Sequence, residues 1–340
     1  MAIKAFRCAA DWNSQQLQES HWRQTLSQQH IDEIHTAIAA CQDKPLDTLT
    51  QDDFVLPTLG PLLHHLAQHE LEQGLGAVLL QGLPTADYDD TTNKLLIWGL
   101  GLYLGHPVSQ SIYGEMIYEV KDEGYHIDHP KARGPNINSK LNFHNDMCDI
   151  ASLLCVRQAA KGGESQLVSS VAIHNTMARD YPDLLAYLYE PYHYKRHNVD
   201  LTSAQGTYQQ PIFAVEQGHF VCNVLRRLID LAQDLPDVPK MTTQQIHALD
   251  VFHELAHDPE LCHTYTMHDG DLLLLNSFVT LHSRLAFEDG ADPEKHRLML
   301  RLWLWSEYSR PLPHWFAATY HHTAVGQARG GIYKKAVNAK

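Results

Sequence analysis

Along the first seventy or so residues the apolar positions recur at spacings of three and four. SQQLQESHWRQTLSQQHIDEIHTAIAACQDK carries the pattern first and PLLHHLAQHELEQ repeats it, so residues 1–73 are expected to form a helical layer packed on a core. At Gly74 the pattern changes. GAVLLQGLP is a short aliphatic run closed by Gly82 and Pro84, as a buried strand would be. Strand-like runs follow at GEMIYEVKD, KLNFHNDMCDIASLLCVRQ, ESQLVSS, QPIFAVEQGHFVCNV, HTYTMHDGDLLLLNSF and HRLMLRLWLWS, separated by Gly, Asp and Pro. Between them SSVAIHNTMARDYPDLLAYLYE and TTQQIHALDVFHELAHD return to helical periodicity. The expected fold is α+β with a mainly β core, a sandwich or jelly roll over residues 74–311 with flanking helices. An extension, 312–340, completes one structural domain, and its end, ARGGIYKKAVNAK, reads as a loose terminus.

Composition narrows the partners. Among 340 residues, 26 Lys+Arg stand against 40 Asp+Glu, a formal net charge of -14 that supplies no basic footprint for nucleic acid or an anionic membrane. A small molecule is the expected partner, and a homo-oligomer is left open. The start, MAIKAFRCAADWNSQQ, lacks a signal-peptide apolar core, and no stretch reaches the roughly twenty apolar residues of a spanning helix, so the expected location is cytoplasmic. Six cysteines without a CxxC pair suit reduced thiols.

The chain holds 24 histidines, so chance metal-like spacings are frequent. In Leu141 to Met147, residues Asn142, His144 and Asp146 lie two apart and share one face of a strand, while Phe143 and Asn145 point the other way. His282, at the end of DLLLLNSFVTL, could bring a third ligand. Two imidazoles and a carboxylate fill one face of an octahedron and leave room for a bidentate co-substrate and O2 on iron(II). Spacing alone leaves open a hydrogen-bonded His–Asp pair and an unrelated core histidine.

Two other patterns compete. His126-x-Asp128 sits between Gly124 and Pro130, in a loop that would not hold its side chains in register. His253-Glu254-Leu255-Ala256-His257 matches the HExxH of zinc peptidases, with His263 where a third histidine would stand. The longer pattern needs Gly where this chain has Glu260, preceded by Pro259, and the segment reads equally as a helix burying Ala248, Val251, Phe252 and Leu255. Farther on, HRLMLRLWLW puts Arg297, Met299, Arg301, Trp303 and Trp305 on one face and leucines on the other. A guanidinium among apolar neighbours calls for an anion, either an internal acid or a bound carboxylate.

Taken in order, GAVLLQGLP, LGHPVSQSIYGEMIYEV, LNFHNDMCD, the GGES of Gly162 to Ser165, HDGDLLLLNSFVTLHSRLAFED and HRLMLRLW resemble the TauD/TfdA-like, or clavaminate-synthase-like, Fe(II)/2-oxoglutarate dioxygenases over about Gly74 to Pro311. The resemblance implies a double-stranded β-helix in which His144, Asp146 and His282 hold Fe(II). It implies that Arg297 and the Ser165 hydroxyl hold the far carboxylate of 2-oxoglutarate, with Arg301 near the substrate. Asn145 stands where threonine is common, with little consequence expected. Asp146 favours oxygenation, desaturation or rearrangement over halogenation. Asn142, on the ligand face, and Gln110 and Tyr113, in the block that forms the pocket mouth, are the remaining substrate-contact candidates. Each could instead satisfy backbone groups. The expected activity consumes O2 and 2-oxoglutarate, gives succinate and CO2, and acts on a C–H bond of a small polar metabolite such as an amino acid or derivative. The alternatives are a zinc peptidase on His253, Glu254 and His257, or a barrel that binds metal or metabolite without catalysis.

Overall fold

In a computed structural model, which describes residues 3–126, 129, 134–196 and 206–333, two mainly antiparallel sheets face each other. The large sheet runs in the order Arg23–Thr25, Ala77–Gln81, Leu272–Asn276, Ile150–Arg157, Leu298–Trp305, His106–Val108, and Ile117–Val120 also pairs with Leu298–Trp305. The small sheet runs His263–Tyr265, Ser165–Ser169, Thr280–Arg284, Leu141–His144. As the chain advances it alternates between the two, which gives the double-stranded β-helix.

Period-two alternation decides what each sheet buries. Leu298, Leu300, Leu302 and Leu304 pack outward with Leu272 and Leu274 against the helices Gln28–Cys41, Leu59–His65 and Asp90–Gly101. Each fully buried leucine contributes about 2 kcal/mol. Their neighbours Met299, Trp303, Leu273 and Leu275 face the interior between the sheets, together with Leu167 and Tyr265. Behind the small sheet, Phe143, Val168 and Leu281 meet Phe252 and Ala248 of the helix Thr243–Ala256, which a capping box on Thr242 starts.

The chain departs from the sequence pattern in three places. The first seventy residues are not wholly helical: Arg23–Thr25 is a strand, parallel to Ala77–Gln81, and PLLHHLAQHELEQ passes from an α-helix into π-helical turns at Leu66–Gln73. His282 does not end the DLLLLNSF strand, because the backbone turns at 277–279 and carries it onto Thr280–Arg284 in the opposite sheet. The segment expected to be a loose terminus is packed as far as the described residues go. Arg329 is buried against Asp149, and Ile332 bridges to Gln110. Residues 334–340 lie outside the described residues. No helix among the described residues is long and apolar enough to cross a membrane.

Candidate metal centre and co-substrate pocket

Leu141–His144 and Thr280–Arg284 pair antiparallel with His144 opposite His282, and the two imidazole centres lie 4.4 Å apart. Asp146, two residues past His144, turns its carboxylate to the same point, with Oδ2 3.8 Å from His282 Nε2. One ligand atom from each residue falls within 4.8 Å of the others, and this is the one such group of three or more His, Cys, Asp or Glu residues among the described residues. The intervening Asn145 is more than a spacer. It faces away, as the alternation requires, and there its amide donates to Ser277 O and Thr280 O while its oxygen accepts from Val224 N. It therefore ties the His-x-Asp segment to the turn that delivers His282.

Local bonds prepare these side chains for a metal. His144 Nδ1 donates to Asn142 O at 2.9 Å, leaving Nε2 as the lone-pair nitrogen. Burial, then the neighbouring His144, pushes His282 down to about 3, so it is a neutral imidazole. Burial alone would raise the Asp146 carboxyl, but Arg301 first, then His282 and His144, hold it below the usual carboxylate range. Asp146 Oδ2 is buried without a hydrogen-bond partner. A buried carboxylate oxygen facing two imidazoles is the donor set iron(II) takes, so the residues present fit that ion.

Arg301 is committed to this carboxylate. Its Nη1 donates to Asp146 Oδ1 at 3.1 Å and its Nε to Gln110 Oε1 at 2.7 Å, while Gln110 Nε2 donates to Arg301 O and Met116 O. Gln110 is thus buried behind Arg301 and does not reach the cavity, and Tyr113, 80 % exposed on a turn, does not line it either. Asn142 and Arg301 do line it, with Ser165 and Arg297. The cavity holds about 460 Å³.

Arg297 enters the pocket past the glycines of GGES. A Cβ on Gly163, whose φ is +75°, would stand 3.3 Å from Gln158 Oε1 and 3.5 Å from Arg297 Nε, so a side chain there would press on the guanidinium. Arg297 is 3 % exposed; Nε donates to Gln158 and Nη1 is buried without a partner. Burial holds its pKa down to about 10. An orphaned buried guanidinium N–H is what a bound carboxylate would satisfy. Sequence analysis missed Arg284, which also lines the cavity. The signal was available, since Arg284 is two residues past His282 and so on the ligand face of the same strand.

The zinc-peptidase pattern does not assemble. Glu254 is exposed on its helix, His257 spends Nδ1 on His253 O and sets its ring edge-on to Phe143, and His263 packs against Trp22 and Tyr265. Glu254→Gln is therefore expected to leave 2-oxoglutarate-dependent succinate release unchanged in a coupled succinate assay. Asp128 of the other competing pair lies outside the described residues.

Fold and ligand geometry together define a class, the mononuclear non-haem iron(II) oxygenases that grip the metal from one side only. Within it the chain belongs to the taurine catabolism dioxygenase TauD, TfdA family, whose pattern it matches over residues 42–303. It is 30 % identical over 314 residues to the FR-33289 synthase of Streptomyces rubellomurinus (strain ATCC 31215), covering 89 % of this chain and 91 % of that protein. It is 27 % identical over 292 residues to the taurine hydroxylase-like protein SAT17 of Stachybotrys chartarum (strain CBS 109288 / IBT 7711), covering 82 % and 73 %. Among solved structures, an asparagine oxygenase with Fe(II), 2S,3S-3-hydroxyasparagine and succinate shares the fold at a TM-score of 0.67 and 15 % identity, over 84 % of this chain and 94 % of that one. The non-haem iron oxygenase OrfP with Fe and alpha-ketoglutaric acid does so at 0.62 and 14 %, over 84 % and 94 %. The chain is a 2-oxoglutarate-dependent non-haem iron oxygenase.

Proposed function

We propose that His144, Asp146 and His282 hold iron(II), that Arg297 and the Ser165 hydroxyl hold the far carboxylate of 2-oxoglutarate, and that the enzyme oxidises a C–H bond of a small anionic metabolite, an amino acid or its derivative. One observation carries the reading: three ligand atoms meet within 4.8 Å beside a buried guanidinium with an unpartnered N–H in the same cavity. When bound, iron(II), 2-oxoglutarate and O2 supply the oxidising chemistry, with succinate and CO2 as co-products. The chain's own part is positioning. Arg301 keeps Asp146 ionised and aimed, the Asn142 carbonyl fixes the His144 tautomer, and Leu153, Met267, Leu273 and Met299 line an apolar wall around the polar groups.

The anionic substrate is supported by the charge of the wall. Asp146 is the one carboxylate among the described lining residues, against Lys140, Lys195 and six arginines. Arg226 and Arg301 already face carboxylates, and the remaining lining cations, in a chain of net charge -14, draw in anions. Neighbours solved with hydroxyasparagine and with (3S)-hydroxy-L-Arg direct the search to amino-acid chemistry. A cytoplasmic location belongs to the same proposal, supported by six free thiols.

The test begins without oxygen. Fe(II) and 2-oxoglutarate added anaerobically are expected to give a weak visible charge-transfer band, and admitting O2 should release succinate, faster with the right member of a library of anionic amino-acid derivatives. A barrel that binds iron and 2-oxoglutarate without turning them over would show the band and no succinate. Acceleration by cationic compounds alone would overturn the substrate assignment.

A further inference from the structure

Arg284 lines the cavity and is tightly held there. It is 5 % exposed, and Nη2 donates to Ile137 O and Ser139 O at 2.8 and 2.6 Å, which fixes one edge of the guanidinium against the loop. Two further nitrogens, Nε and Nη1, are buried without hydrogen-bond partners. Arg297 Nη1 is in the same condition. The two guanidinium carbons lie 4.7 and 5.0 Å from the centre of the same Phe287 ring. Neither arginine forms an ion pair with a carboxylate among the described residues, although Asp122 acts weakly on Arg284 and Asp289 on Arg297. Across the strands, Arg284 is the direct partner of Ser165.

These facts call for an anion. Two buried guanidiniums near enough to act on each other repel, and arginine does not escape by shedding its proton. Burial first, then Arg297, holds Arg284 down to about 9, which expresses the cost of a charge without a counter-ion. An unpartnered nitrogen on each of two buried arginines, with a serine hydroxyl on the facing strand, suits one carboxylate. Asp146 and Arg301 are already matched to each other, which leaves Arg284 and Arg297 as the buried lining guanidiniums with no carboxylate paired to them among the described residues.

We propose that Arg284 is a second guanidinium of the far-carboxylate site, acting with Arg297 and Ser165 to select a dicarboxylate co-substrate over a 2-oxo acid that lacks the distal charge. This rests on the assignment of Arg297 to 2-oxoglutarate made above.

Anaerobic calorimetry on the Fe(II)-loaded protein tests it with two ligands of equal chain length, 2-oxoglutarate and 2-oxopentanoate. Arg284→Gln is expected to weaken 2-oxoglutarate by about 10- to 100-fold, the range for a lost hydrogen bond to a buried charge, while 2-oxopentanoate binds nearly as before. The preference between the two acids therefore collapses. If both ligands weaken together, or neither does, Arg284 is only a brace for the Ile137–Ser139 loop and the proposal is overturned. Should Arg284→Gln fail to fold, Arg284→Lys keeps the charge but loses the fork. Its preference is expected to fall several-fold, and an unchanged preference would equally overturn the proposal. Arg297→Gln separates the two claims. If it collapses the preference and the Arg284 variants do not, only the Arg284 assignment fails. If Arg297→Gln leaves the preference intact, the co-substrate site itself is elsewhere and both fall.

Discussion

Asp146→Ala is expected to abolish succinate release and, separately, to destabilise the fold by about 3–5 kcal/mol. The two losses have different origins. Removing groups that merely support a metal ligand typically costs about 10- to 100-fold, so removing the ligand itself should cost more. The stability loss comes from Arg301, 7 % exposed, whose Nη1 would lose its carboxylate and whose charge would remain buried with only Gln110 and the Trp303 and Tyr118 rings to face. Pairing the change with Arg301→Leu should restore much of the stability and none of the activity, because a buried ion pair can be replaced by apolar groups with little penalty. Urea denaturation and the succinate assay, run on both variants, check this. Full activity in Asp146→Ala would sink the ligand assignment, and a double variant no more stable than the single one would sink the account of Arg301.

That coupling also marks what was legible in the sequence. The His144-x-Asp146 pair was readable because period two is a local property of a strand, and the alternation of Arg297, Met299 and Arg301 with leucines was readable for the same reason. The meeting of His282 with His144 was not, since it depends on a turn at 277–279 and on pairing between segments far apart in the chain. Nor could alternation say which anion Arg301 meets. The pattern shows that a cation is buried, while the partner is a matter of which strands become neighbours. Arg23–Thr25 escaped notice because RQT carries no apolar alternation, and its strand character comes from pairing with Ala77–Gln81. The expectation for Gln110 and Tyr113 rests on their place in a sequence block and not on a face or a spacing, and the structure brings neither into the cavity.

Arg329→Met is expected to lower stability by about 3–5 kcal/mol near neutral pH, or about 10 °C in Tm, although Arg329 does not line the cavity. Arg329 Nε donates to Asp149 Oδ1 at 2.8 Å with both side chains 1 % exposed, and its Nη2 donates to Ser309 Oγ and Arg310 O. Asp149 also accepts from Ser306 N, so the pair clasps the C-terminal segment to the strand Ile150–Arg157 that follows Asp146. Burial already raises the Asp149 carboxyl above its usual value, with Arg329 as the chief offset. Without that offset it rises further. A carboxyl whose folded pKa lies above its unfolded value near 3.8 binds more protons in the native state. Stability therefore falls as pH rises through the interval between the two values. The deficit of Arg329→Met should accordingly be largest at neutral pH and shrink as the solution is acidified toward the carboxylate range, where Asp149 becomes neutral. Adding Asp149→Asn should recover part of the loss at neutral pH and flatten its pH dependence. Denaturation midpoints for the wild type and both variants between acid and neutral pH measure this, and a deficit that does not vary with pH would mean that packing of the segment, not the charge of Asp149, is what Arg329 supplies.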